Sequence, residues 1–90
     1  MTIKEILAAI REAEAEWPEV DEQRIADRDE ALESLRSLAE EARHKIRFRD
    51  WSVAATVVHE MAEIAGSCGD SGRLPQAEMA LRARARKDAR

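Results

Sequence analysis

A single cysteine, Cys68, excludes a disulfide within the chain, and no Cys/His spacing suggests a zinc site. This predicts a reducing, cytoplasmic setting. The N-terminus lacks the basic, apolar, small-residue order of a signal peptide, and no apolar run approaches the roughly 20 residues that span a bilayer. A soluble protein with no membrane association is expected. Tyrosine is absent and only Trp17, Phe48 and Trp51 are aromatic, so the core must be filled by Leu, Ile, Val, Met and Ala. Glycine and proline are scarce and clustered: Pro18, Gly66, Gly69, Gly72 and Pro75 punctuate a chain that is otherwise free of breakers.

What is present is helix-forming. The chain is rich in Ala, Glu, Arg and Leu, with 44% hydrophobic and 38% charged residues, too apolar for disorder. The expected fold class is all-α: a bundle of three core helices, one of them long and central, plus a less firmly packed C-terminal helix. Residues 1–65 form the expected core, 66–74 a flexible loop, and 75–90 a basic helix or tail. Ninety residues bury only about two thirds of their unfolded surface, which makes self-association a serious expectation.

Thr2 and Glu5 have the spacing of a capping box, which starts the first helix. Ile3, Ile6, Ile10, Ala13 and Trp17 form its stripe, broadened by Leu7, and Pro18 ends it. From Asp21 to Phe48 there is no breaker, and Ile25, Leu32, Leu35, Ala39, Ala42 and Ile46 recur at a spacing of about 3.5. This predicts one long helix of roughly 42 Å with an apolar seam, capped by Asp21. The seam is the expected oligomerisation surface, and Ala39 and Ala42 permit close approach. A third helix, capped by Asp50 or Ser52, carries Trp51, Ala54, Val58, Met61 and Ala65, widened by Val57 and Ile64, and stops at Gly66. Pro75 suits the first turn of a last helix, running to about Lys87, with Leu74, Ala77 and Leu81 as a thin apolar edge. Trp17, Ile25, Leu32, Leu35, Ile46, Trp51, Val58, Met61 and Ile64 are expected to be largely buried.

The formal net charge of −4 is unevenly spread. Residues 1–41 carry five Lys/Arg against thirteen Asp/Glu, while 73–90 carry six against two. Between them lie Arg43, Lys45, Arg47 and Arg49 with His44, at the end of the long helix where cations suit the helix dipole. An acidic front and a basic rear attract each other head to tail, or offer the rear to an anionic partner. Arg73, Arg82, Arg84, Arg86, Lys87 and Arg90 are the candidate nucleic-acid-binding residues. The overall pI of about 5.2 and the absence of a compact helix-turn-helix restrict such contact to the phosphate backbone, through the tail.

Motifs of catalysis are outweighed by their surroundings. Gly69-Asp70-Ser71-Gly72 matches the surroundings of a serine-protease nucleophile, but no histidine and buried aspartate come with the strands that such an enzyme needs. A turn-rich connector explains it. His59 and Glu63 share a helix face, yet Glu63 stands where a zinc-protease helix requires its second histidine. Paired acids such as Glu40-Glu41 lie on a solvated face, without the pocket that separates carboxylate pKa values. No catalytic residue, metal or cofactor is expected.

The stretch from Met61 to Gly66, the loop after it, Glu78, and the run Leu81 to Arg86 resemble the C-terminal part of small helical proteins of actinobacterial phages, some of them small terminase subunits. The resemblance implies an oligomeric DNA-packaging protein that recognises a viral genome and engages a large ATPase subunit. The residues themselves support a non-enzymatic assembly or adaptor protein. The alternative is a small binding module or inhibitor that covers a partner protein's surface.

Overall fold

In the computed structural model, four helices follow one another without a strand among the described residues, which are 2–16, 28–66 and 73–88. They are α1 (Ile3–Glu16), α2 (Arg28–Arg47), α3 (Trp51–Gly66) and α4 (Arg73–Asp88). The protein is an all-α helical bundle. Trp17, Ile25, Cys68, the Gly69–Gly72 motif and Arg90 lie outside the described residues, as does the Asp21 cap.

The capping box forms as its spacing dictates. Glu5 N–H donates to Thr2 Oγ1 at 3.2 Å, and Thr2 N–H donates to Glu5 Oε1 at 3.3 Å. These bonds use backbone donors that have no partner within the helix. The backbone bond and the Thr2 hydroxyl hold the Glu5 carboxyl below its usual range. Ile6, Ala9, Ile10 and Ala13 then fall on one buried face.

The long helix is described over 20 residues, about 30 Å. Its end is a Schellman motif. Asp50 N–H reaches back to Lys45 O at 2.9 Å and Arg49 N–H to Ile46 O at 3.0 Å, with Arg49 in the left-handed region at φ 58°. Asp50 O then accepts from Ala54 N–H at 2.9 Å, so one residue closes α2 and opens α3. The turn folds α3 back along α2, and α4 runs antiparallel to α3.

Leu35, Ala39, Ala42 and Ile46 are buried inside the single chain, at 0–3% exposure. The seam expected to join copies is therefore spent on the chain's own core. Its periodicity identified a buried face correctly, but α1 and α3 cover it, so it offers no surface to a second copy in this arrangement. Leu32 is half-buried against the same core, as is Ile64. Trp51, Val58 and Met61 are buried as expected.

The expectation of a loosely packed last helix also needs correction. Leu74, Ala77 and Leu81 are fully buried, with Ala80 and Ala85 packed partly against the core. The edge is thin, but its alanines let α4 lie close to α3. Among the described residues, seven of the seventeen buried hydrophobic ones are alanines, so much of the core is made by close helix approach rather than by large side chains.

Candidate interaction surfaces

Trp51 organises one end of the bundle. Its indole Nε1–H donates to Asp88 Oδ2, and the guanidinium of Arg84 lies over its ring at 5.4 Å from the centroid. A tryptophan at 6% exposure needs a partner for its N–H, and a cation over its face is attracted by the ring quadrupole. Through these contacts the C-terminal turns of α4 are held beside the α2–α3 corner. Two basic clusters far apart in sequence therefore share one end of the molecule. Residues 43–50 and 82–88 together carry eight cations and two carboxylates.

Phe48 projects from that end at 68% exposure, between exposed Arg47 and Arg49. Its ring meets that of His44, tilted at 58° with centroids 4.7 Å apart. The Schellman turn explains the position: once the chain reverses at Arg49, the residue before it is carried off the core face. Met79 at 71% and Val53 at 40% are the other large apolar side chains exposed among the described residues.

The predicted nucleic-acid set is divided by the fold. Arg73 Nε pairs with Glu12 Oε2 at 3.2 Å, tying α4 to α1. Arg82 Nε donates to Glu78 Oε2 at 2.7 Å, and Arg84 lies over Trp51. Arg86 and Lys87 are exposed. Of the cluster at the end of α2, Arg43 donates to Glu14 Oε1 at 2.6 Å. This pair borders a mixed-charge groove of about 470 Å³ between α1 and α2, lined also by Arg11, Arg36 and Glu40.

A second groove, about 600 Å³, lies between α2 and α3. Leu38 and Ile64, both half-buried, contribute its apolar surface, while Glu30, Glu33, Ser34 and Ser37 supply its polar rim. Glu30 and Glu33 stand three residues apart, on one face of α2.

His59 sits between two carboxylates. Its Nδ1 is 2.9 Å from Glu78 Oε1 on α4, and its Nε2 is 3.0 Å from Glu63 Oε1 on its own helix. The bond to Glu78, helped by the charges of both acids, raises the His59 pKa. Burial pulls the Glu78 carboxyl upward, but the hydrogen bonds from Arg82 and His59 prevail and its pKa is lowered. The i, i+4 partner Glu63 is visible in the sequence, whereas Glu78 arrives only through the α3–α4 pairing. The two acids occupy opposite edges of the imidazole, and no group of three acidic, His or Cys side chains among the described residues is arranged to hold a metal ion. No described helix is long and apolar enough to cross a membrane.

No protein family, no curated protein and no solved structure matches this chain.

Proposed function

We propose that this chain is a non-enzymatic helical assembly or adaptor protein that works through its charged ends. The supporting observation is the convergence at Trp51, which places the cations of 43–49 and 82–87 at one end, while the exposed acids Glu30 and Glu33 lie some distance away along α2. A molecule with one basic end and an acidic flank associates with copies of itself or with an anionic surface. The concrete setting is a small-terminase-like DNA-packaging component, in which exposed Arg86 and Lys87, with Arg90 beyond them, contact phosphates.

Light scattering on the untagged chain, at several concentrations and near-physiological salt, tests this reading. A closed assembly of roughly eight or more copies, with DNA binding that weakens steeply in salt, is the expected outcome for a packaging component. A monomer at every concentration overturns the assembly reading. It transfers the basic end to the alternative, a small module that covers an acidic surface on another protein.

A further inference from the structure

We infer that Phe48 of one copy docks into the Leu38–Ile64 groove of a second copy, with Arg47 and Arg49 meeting Glu30 and Glu33 on the groove's rim. This rests on the assembly reading above and gives it a contact. Three observations carry it.

The first is a match of chemistry. An exposed aromatic ring flanked by two guanidinium groups stands at one place, and a groove lined by Leu38, Ile64 and two carboxylates at another. The groove, at about 600 Å³, has ample room for a phenyl ring. An aromatic residue flanked by arginines is also the composition that recurs at interface centres.

The second is geometric. Phe48 directly follows α2, and Leu38 lies ten residues earlier, about 15 Å along the same rigid helix. A chain cannot place its own Phe48 in its own groove. Only another copy can supply the ring.

The third is the state of the seam. With Leu35, Ala39, Ala42 and Ile46 buried internally, association must use other surfaces. Asp50 is the one acid beside Phe48 in the turn, and its backbone is engaged at both helix ends. The knob and the groove are different patches, so the contact is heterologous, and it closes into a ring or propagates as a filament.

The test uses the full chain and three exposed positions. Phe48→Ala removes the ring, Glu33→Arg reverses the rim, and Glu33→Arg with Arg47→Glu restores opposite charges in exchanged positions. Each of the first two should weaken association at least about tenfold in light scattering, with circular-dichroism melting unchanged at concentrations low enough that the wild type is itself dissociated. The double variant should recover mass. If the wild type assembles but Phe48→Ala keeps its mass, this contact is overturned while the assembly reading stands. If Phe48→Ala keeps its mass and instead loses duplex-DNA binding, the corner belongs to nucleic acid and the contact is again overturned. A wild type that is monomeric throughout defeats both.

Discussion

The indole of Trp51 donates to the carboxylate of Asp88, 37 residues later, joining the first residue of α3 to the last of α4. The bond fixes where the basic end of α4 lies. Trp51→Phe keeps a smaller aromatic ring under Arg84 but removes the donor, leaving Asp88 to water. A loss of about 1–2 kcal/mol is expected in urea unfolding. Arg84→Ala, which removes the cation from the ring face, should cost about 0.5–1 kcal/mol. If the helix end is docked as described, Trp51 fluorescence will shift in the Asp88→Ala variant; an unaltered spectrum contradicts the contact.

Arg49 occupies a position that glycine takes more readily. At φ 58° its Cβ crowds the backbone, at a cost of about 1 kcal/mol. Arg49→Gly should therefore raise stability by about 0.5–1 kcal/mol, whereas Arg49→Ala should give no such gain. Paired thermal melts of the two variants separate backbone relief from loss of the cation.

The last helix supplies core, so Leu81→Ala should cost about 2–5 kcal/mol, comparable to Leu35→Ala. A helix that merely rested on the surface would lose far less. Leu35→Asp and Val58→Asp should unfold the chain outright, because both side chains are fully buried within it. Retention of cooperative melting in either Asp variant is incompatible with this core.

His59 gives stability a pH dependence. Its folded pKa lies above the ordinary 6.5, so its contribution is complete below about pH 6.5 and fades as pH rises through the folded value. His59→Gln should melt below the wild type in mildly acidic buffer and approach it in alkaline buffer. Carboxylate protonation affects both chains in strong acid, which makes the range from about pH 5.5 to 9 the informative one.

Much of the fold was legible in the sequence because local chemistry decides it. Thr2 and Glu5 cap each other whatever the rest of the chain does, and the stripe Trp51, Ala54, Val58, Met61 can only face inward. What a pattern leaves open is the identity of the partner. The periodicity of Leu35, Ala39, Ala42 and Ile46 specifies a face that must be covered, but is indifferent to whether the cover comes from the same chain or another. The weight of Ala77 and its neighbours is hidden for a related reason: alanine contributes little apolar area, and its worth lies in allowing two backbones to approach. The candidate surface was legible only in fragments. The clusters 43–49 and 82–87 are plain in the sequence, but their meeting depends on Trp51 reaching Asp88, and the exposure of Phe48 depends on a left-handed arginine that no pattern announces.

The alanine content of the core bears on how its helices are aligned. Surfaces built from Ala39, Ala42, Ala54, Ala55 and Ala77 are smooth, with few projections to resist one helix sliding along its neighbour. Alignment along the axis then falls to the few bulky side chains and to the polar links between helices. Trp51 to Asp88 and His59 to Glu78 act at two heights on one helix pair, and Arg73 to Glu12 and Arg43 to Glu14 fasten α1 to its neighbours. The exposed ion pairs among them add little to the depth of the energy well. Here the links work as latches, holding each helix at one height against its neighbour.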